Sequence, residues 1–217
     1  MRKRDLGPTL AVLTALAFQT IPAHAEDPAP QTVGAWLGRE HRFLHRYLAV
    51  VQQATHDYSY GYKTPVLLMP VTIDLFTGYV ARIHDGESRF LYPAIRDHMT
   101  SEQQKGLHLI EVEQEEEVGT VKSWQNMLEQ LQTGQKTITE VADAIDYLGR
   151  LLNRHIVLQE QRVFPAVDML TAKEQAAILK SLEEFEREAL GMSGRSRYEE
   201  LLTHIEEEIK RLAGRVW

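Results

Sequence analysis

The sequence has 217 residues, among them 31 acidic and 24 basic residues and no cysteine. Its net charge of −7 at neutral pH repels phosphate backbones, which excludes a nucleic acid as the expected partner. Without cysteine the chain has no disulfide bond, no thiolate metal ligand and no catalytic thiol, so its stability must come from a hydrophobic core, which a chain of this length can bury.

The first 25 residues have the pattern of a secretory signal peptide. Residues 2–4 are basic, residues 10–18 form an apolar run, and the small-x-small sequence Ala-His-Ala ends at Ala25. A transmembrane helix needs about 20 apolar residues, and no apolar run in the chain reaches that length. We therefore expect cleavage after Ala25 and a periplasmic or secreted protein, with an uncleaved membrane anchor as the alternative. Cleavage removes three basic residues and Asp5, which changes the net charge from −7 to −9.

The rest of the chain, residues 26–217, is predicted to form one all-α domain. Its apolar residues recur every three to four positions, as on the buried face of a bundle helix, and no useful stretch alternates with the period of a strand. The predicted helices cover residues 32–56, 71–99, 102–131, 138–168, 172–190 and 197–212. Capping boxes are predicted for the third helix, from Ser101 and Gln104, and for the fifth, from Thr171 and Glu174.

The order and length of these helices predict the architecture of the domain. Four long helices with short connections favour an up-down-up-down four-helix bundle over residues 32–168. The last two helices form an additional C-terminal helical pair over residues 171–212. Residues 57–70 contain three tyrosines and two prolines and are predicted to be a loop between the first two helices.

Each of the four long helices has a polar residue where its buried face requires an apolar one. These residues are His41, His84, Gln114 and His155. They lie about 10 to 13 residues from the same end of the bundle, which spreads them over only about 5 Å at 1.5 Å per residue. We therefore predict one polar layer in the core. A layer of buried imidazoles and carboxylates is best stabilised by a cation, and a layer held by hydrogen bonds alone is the alternative.

Two glutamates follow the histidines of the second and fourth helices. Glu87 lies three residues after His84 and shares its helix face. Glu160 lies five residues after His155, about 140° around the helix, and reaches the layer only through an extended side chain or a distorted helix. Gln159 is better placed by angle, but a neutral amide is a poor metal ligand. Imidazole and carboxylate without sulfur suit iron, manganese or zinc, and a bundle interior of this kind is typical of non-haem iron.

Four segments of the chain resemble one known family. They are REHRFLHRYL in the first helix, IHDGESRFLYPAI in the second, NRHIVLQEQRVFPAVDML in the fourth and LTAKEQAAILKSLEEFEREALG in the tail. They are similar to segments of the hemerythrin-like, HHE cation-binding domain proteins, over nearly all of residues 32–205. The resemblance implies an iron site with one ion or an iron pair, and manganese or zinc less readily. The metal ligands it implies are His41, His84, Glu87, His155 and Glu160, the last as a bridging carboxylate.

The chain departs from the family pattern on two helices. The second helix of the family usually reads His-His-x-x-Glu-Glu, where this chain has Ile83 and Ser88 at the outer positions. The third helix usually supplies a histidine, where this chain has Gln114. Nearby acidic residues are interpreted as a solvated face rather than as substitute ligands: Glu111, Glu115 and Glu117. His45, one turn after His41, is interpreted as a residue in solvent or behind the ligands.

These features favour a binding protein over an enzyme. The leading hypothesis is an exported non-haem iron protein that binds or senses O2, nitric oxide or iron itself, with about two irons per chain. The alternative is a degenerate bundle, with no metal or one weakly held ion, that acts as a structural or interaction protein. A ferritin-like di-iron oxidase is disfavoured, because it requires Glu-x-x-His and no glutamate stands three residues before any histidine.

Overall fold

The computed structural model describes residues 30–59, 64–133, 137–191 and 194–213. Over these ranges all regular elements are helical, which confirms the predicted all-α fold. The six helices of the described ranges are α1 (Val33–Ser59), α2 (residues 64–95), α3 (Ser101–Gln132), α4 (Ile138–Arg162), α5 (Ala172–Leu190) and α6 (Gly194–Ala213). A short helical turn, Phe164–Val167, prolongs α4. None of the described helices combines the length and the apolar character that a membrane span requires.

α2 alternates between α-helical and π-helical turns. Its α-helical segments are Thr64–Leu75, Ala81–Gly86 and Tyr92–Ile95, and the π-helical turns between them are Phe76–Val80 and Glu87–Leu91. A proline ring clashes with the carbonyl group four residues before it in a regular α-helix, and the wide turn ahead of Pro93 relieves this clash. The chain therefore stays helical past Pro93 and ends in a 3-10 turn, Arg96–His98.

The prediction of a loop over residues 57–70 is wrong for the residues that the structure describes. α1 runs on to Ser59, and α2 already begins at Thr64; residues 60–63 lie outside the described ranges. The two prolines of the segment suggested a loop, but Pro65 lies in the first turn of α2, where a missing N–H group costs no hydrogen bond. Pro70 is accommodated inside the helix.

The N-terminus of α3 is capped one residue earlier than predicted. The backbone N–H group of Gln103 donates to Thr100 Oγ1 (3.3 Å), and the backbone N–H group of Thr100 donates to Gln103 Oε1 (2.8 Å). The predicted pair of Ser101 and Gln104 is therefore wrong. For α5 the predicted capping box is confirmed.

The helices α1 to α4 pack around a common hydrophobic core. Their apolar faces are buried where the sequence predicts; on α1 the buried residues include Leu37, Leu44, Leu48 and Val51. Large aromatic side chains fill the space between the helices and are almost completely buried: Trp36, Phe43, Tyr47, Phe76, Tyr79, Tyr92 and Trp124. This core surrounds the polar residues that the sequence places on the same helix faces.

The C-terminal pair, α5 and α6, packs against α1 and α2 and covers one side of the bundle. Two glycines of α2 permit the close approach. A Cβ atom on Gly78 would lie 2.6 Å from the Tyr198 hydroxyl oxygen of α6, and one on Gly86 would lie 3.0 Å from Cδ1 of Phe185 on α5. α5 and α6 therefore approach α2 most closely at two positions where α2 has no side chain.

Candidate metal centre

Three buried ligand groups meet between α2 and α4. His84 and Glu87 lie on α2, His155 lies on α4, and their ligand atoms lie within 4.8 Å of one another. His84 is 4 %, Glu87 2 % and His155 0 % exposed. The two imidazole rings are stacked, with centroids 4.6 Å apart and planes tilted by 14°. Two imidazoles and one carboxylate are a ligand set typical of iron and related metals.

The local sequence explains why these side chains point into the core. On α4 the buried positions step by three and four residues through Leu148, Leu152 and His155, so His155 occupies the place of a core residue. On α2, His84 and Glu87 are three residues apart and share one face. Glu87 opens the second π-helical turn, a distortion that is frequent at functional sites.

Glu117 of α3 lies against both histidines of this cluster. Its Oε2 atom is 3.4 Å from His84 Nδ1, its Oε1 atom is 3.4 Å from His155 Nδ1, and its side chain is 0 % exposed. The interpretation of Glu117 as part of a solvated face is therefore wrong. The sequence could have predicted this burial, because Gln114, Glu117 and Val121 are spaced by three and four residues and therefore share one face of α3.

The cluster contains six buried polar atoms without a hydrogen-bond partner. They are both ring nitrogens of His84, both ring nitrogens of His155 and both carboxylate oxygens of Glu117. The contacts between Glu117 and the two rings are close, but they do not have hydrogen-bond geometry. An unsatisfied buried polar group costs about 1–3 kcal/mol. A bound cation would accept an electron pair from one nitrogen of each ring, and the N–H group on the other nitrogen would need a separate acceptor.

Burial and the neighbouring charges set the protonation of the cluster. Burial lowers the pKa of His84 well below its ordinary value, and His155 and His41 lower it further. Burial also lowers the pKa of His155, but the carboxylates of Glu117, Glu87 and Glu113 together more than offset this effect, so the net shift is upward. Burial raises the pKa of Glu87, an effect that His155 and nearby hydrogen bonds reduce. Since metals bind the neutral imidazole, burial keeps His84 in its ligand form.

Hydrogen bonds from α2 and α3 orient the Glu87 carboxylate, and α4 supports one of the donors. The Tyr92 hydroxyl donates to Glu87 Oε2 (2.9 Å), and the Gln114 amide donates to the same oxygen (3.1 Å). Tyr92 in turn accepts from the side-chain amides of Gln114 (3.0 Å) and Gln159 (2.8 Å). Tyr92 was not identified from the sequence, where it appears only as part of the segment IHDGESRFLYPAI.

His41 and Glu160 lie beside the cluster of His84, Glu87 and His155. The His41 Nε2–H group donates to Gln159 Oε1 (2.7 Å), and His41 Nδ1 pairs with Glu160 Oε1 (3.2 Å). Both ring nitrogens of His41 are therefore engaged by α4, and the Glu160 side chain is 48 % exposed. The role of these two residues as metal ligands stays a prediction.

All four polar residues predicted for the layer are buried: His41, His84, Gln114 and His155. Gln159 lies in the layer as well, at 0 % exposure, as the angle along α4 indicated. Of the other acidic residues of α3, Glu115 is exposed, as predicted. Glu113 is buried and pairs with Arg154. His45 is exposed to solvent.

Comparison with known proteins identifies one family. Residues 32–167 match the family model described as the hemerythrin HHE cation binding domain. The matched residues contain α1 to α4 and the whole cluster, and they end before the C-terminal pair. No curated protein and no solved structure matches the chain.

Proposed function

Because this chain belongs to the hemerythrin HHE cation-binding domain family, we propose that it binds non-haem iron in its bundle core and uses the iron to bind or sense O2, nitric oxide or iron itself. The observation that carries this proposal is the convergence of His84, Glu87 and His155 within 4.8 Å in a buried place. The buried ring nitrogens without hydrogen-bond partners support it further.

The chain's own residues would hold the ion and keep water away from it. His84 and His155 would supply imidazole ligands, and Glu87 would supply a carboxylate that Tyr92 and Gln114 hold in place. When bound, iron supplies an open coordination position at which a diatomic molecule binds. Buried apolar residues one turn away on each helix, such as Leu91, exclude bulk water from this position.

Metal content tests the proposal directly. The chain is expressed with added iron, desalted and analysed by mass spectrometry for bound metals, together with the variants His155→Ala and His108→Ala. His108 is 75 % exposed and serves as the matched control. We expect iron in the wild type and in His108→Ala, and its loss in His155→Ala. Exposure of the iron(II) protein to nitric oxide is expected to produce new visible absorption bands.

A metal-free bundle is the second candidate function, for a structural or interaction protein. It is favoured by Gln114, which stands where a ligand is expected and whose amide satisfies Glu87 by hydrogen bonding. This candidate predicts that a chelator leaves the melting temperature unchanged. A bound ion stabilises the folded state by mass action, so a clear fall in melting temperature on chelation counts against it. Wild-type protein without any retained metal would contradict the iron proposal.

We also propose that the protein works outside the cytoplasm, in the periplasm or as a secreted protein. The support is the basic, apolar and small-residue pattern of residues 1–25, which lie outside the described residues. Cell fractionation with N-terminal sequencing of the mature protein tests it. The expected new N-terminus is Glu26, and a full-length cytoplasmic product would contradict the proposal.

A further inference from the structure

We propose that Glu117 is a positioning residue of the candidate metal centre: its carboxylate accepts the Nδ1–H groups of His84 and His155 and so leaves the Nε2 atom of each ring free for the ion. This inference rests on the proposed iron-binding function and adds to it the orientation of two of the ligands. Glu117 itself does not belong to the group of residues whose ligand atoms come together, which are His84, Glu87 and His155.

The Glu117 carboxylate spans the two histidine rings. Its Oε2 atom lies 3.4 Å from Nδ1 of His84, and its Oε1 atom lies 3.4 Å from Nδ1 of His155. The rings are stacked with their centroids 4.6 Å apart, so one carboxylate reaches both of them with one oxygen each. Each distance exceeds the usual upper limit for an N–H···O hydrogen bond by only about 0.2 Å, which a small rotation of a side chain can remove.

The chemistry of imidazole explains why this contact matters for metal binding. A neutral imidazole has an N–H group on one nitrogen and a free electron pair on the other, and a metal binds the nitrogen with the free pair. An ionised carboxylate only accepts hydrogen bonds, so it favours the proton on the nitrogen that it faces. The hydrogen bond at one nitrogen therefore decides which nitrogen binds the metal. With Glu117 at both Nδ1 atoms, that nitrogen is Nε2 in both rings.

Glu117 differs from the other buried glutamates in having no hydrogen-bond donor of its own. Donors reach the others: Glu40 accepts from Tyr79 and Arg195, Glu87 accepts from Tyr92, and Glu113 pairs with Arg154. Both oxygens of Glu117 lack a hydrogen-bond partner, although its side chain is 0 % exposed. A buried carboxylate needs a compensating group, and the N–H groups of the two rings that it contacts can supply one for each oxygen.

Tyr47 does not meet this need. It lies near enough to Glu117 for the carboxylate to raise the pKa of its buried hydroxyl group, but that hydroxyl donates to the backbone carbonyl of Thr72 (3.1 Å). The proton of Tyr47 is therefore engaged elsewhere, and the two imidazoles remain as donors for Glu117.

An ion pair between Glu117 and a doubly protonated His155 is the competing explanation. A ring that carries protons on both nitrogens has no free electron pair, so in this form His155 could not bind a metal. It would also leave His84 without a defined proton position. The two explanations differ in the number of protons on His155, which nitrogen NMR measures directly.

The test records the 15N chemical shifts of the histidine rings, which distinguish a ring protonated at Nδ1, at Nε2 or at both nitrogens. The 15N-histidine-labelled protein is measured without metal at about pH 9, above the range in which histidine ordinarily takes up its second proton, and then loaded with zinc at about pH 7.5. Zinc accepts imidazole and carboxylate ligands. His84→Asn and His155→Asn assign the two sets of signals.

In the wild type we expect both rings to carry their proton on Nδ1 alone, without metal and with zinc. Glutamine has one acceptor oxygen and one donor group, so Glu117→Gln should move the proton of one ring to Nε2. Its zinc affinity, in competition with a chelator, should be about tenfold to a hundredfold lower. Glu115→Gln removes the same charge from an exposed position of α3 and should keep the tautomers and the affinity of the wild type.

Several results would overturn the inference. They are a wild-type ring of His84 or His155 protonated at Nε2, a ring protonated at both nitrogens at pH 9, zinc bound through Nδ1, and unchanged tautomers in Glu117→Gln. If Glu117→Gln does not fold, the wild-type spectra decide. Iron retained alongside any of these results leaves the proposed function intact. A wild type that binds no metal would refute the proposed function, whereas its metal-free spectrum would still test the role of Glu117.

Discussion

Three side chains of the polar layer converge on the hydroxyl group of Tyr92, which donates to Glu87 and accepts from Gln114 and Gln159. Tyr92→Phe removes all three hydrogen bonds and leaves the Gln159 amide without this acceptor in the core. We expect the unfolding free energy of the metal-free protein to fall by about 1–3 kcal/mol, measured by urea denaturation. We also expect an iron affinity about tenfold lower, because Glu87 loses one of the groups that orient it.

Tyr147→Phe is the control for this change. Tyr147 is 39 % exposed, and its hydroxyl donates to Glu116 at the surface. Water replaces that hydrogen bond, so the unfolding free energy is expected to stay within about 0.5 kcal/mol of the wild type. An equally small effect in Tyr92→Phe would show that the layer does not depend on the Tyr92 hydroxyl.

His84 should make the stability of the metal-free protein depend on pH. In the unfolded chain a histidine takes up a proton near pH 6.5. Burial lowers the pKa of folded His84, so below pH 6.5 the unfolded state binds more protons than the folded state. The contribution of His84 to the unfolding free energy therefore falls as the pH drops below about 6.5. We expect this fall to be less steep in His84→Asn, measured by urea denaturation between pH 5 and 7.

The exposed His108 provides the comparison, and His108→Asn is expected to keep the pH dependence of the wild type. His155 contributes in the opposite direction, because its pKa is raised in the folded state. Its contribution to stability is complete below pH 6.5 and is lost as the pH rises through its folded pKa. A wild-type profile that matches that of His84→Asn below pH 6.5 would contradict the assignment of a neutral, buried His84.

At the level of the helices, the contact between α2 and α6 depends on the missing side chain of Gly78. A Cβ atom there would lie 2.6 Å from the Tyr198 hydroxyl oxygen and 2.9 Å from Cε1 of the same ring. The ring is itself held by Tyr79, with centroids 5.4 Å apart, so it cannot move away freely. Alanine gains about 1 kcal/mol of helix propensity over glycine, but overpacking costs about 1–3 kcal/mol. We expect a net loss of stability in Gly78→Ala, measured by thermal unfolding.

The same substitution at Gly119 of α3 should have the opposite effect on stability. A Cβ atom on Gly119 would have no neighbour within 4 Å, and the residue is exposed. Gly119→Ala is therefore expected to raise the unfolding free energy by up to about 1 kcal/mol. If both variants were stabilised, the packing of Tyr198 on α2 would have to be looser than the structure shows.

The helices of the bundle follow from patterns that are local in the sequence. The three-four step of apolar residues on α1 and α4 depends only on helix geometry, so the helices and their buried faces are predictable. The boundaries of α2 are not predictable in the same way, because the rule that proline breaks a helix applies to a regular α-helix. Pro93 is tolerated next to a π-helical turn, and Pro65 lies in the first turn, where it breaks no hydrogen bond. These outcomes depend on packing that one sequence does not reveal.

The sequence predicted the layer of the core in which the candidate site lies, but it did not predict all the residues of the site. The shared depth of His84 and His155 follows from counting residues along antiparallel helices. Glu117 was assigned to a solvated face because its neighbours in sequence are acidic, although its position in the three-four step is that of a core residue. Tyr92 acts through its hydroxyl group, whose partners on α3 and α4 lie far away in the sequence.

At the scale of the whole molecule, a buried ion pair joins the C-terminal pair to the bundle. Arg195 of α6 donates to Glu40 of α1 (2.6 Å) and to Glu199 (2.7 Å). Tyr79 of α2 donates to the second oxygen of Glu40 (2.5 Å). The Arg195 side chain is 14 % exposed and that of Glu40 is 1 % exposed. Three helices therefore meet at charges that have little access to water.

Arg195→Met should destabilise the protein more than Arg46→Met, although Arg46 donates to three side chains of α6: Glu199, Thr203 and Glu206. Arg46 is 35 % exposed, so water replaces its contacts, and we expect a loss within about 1 kcal/mol. Removal of Arg195 leaves the buried Glu40 with Arg39 and Tyr79 as its remaining partners. We expect a loss of about 3 kcal/mol, at the low end for a broken buried ion pair. Adding Glu40→Gln should recover part of that loss. If urea denaturation showed equal losses of stability for Arg195→Met and Arg46→Met, burial would not determine how strongly these ion pairs hold α6 on the bundle.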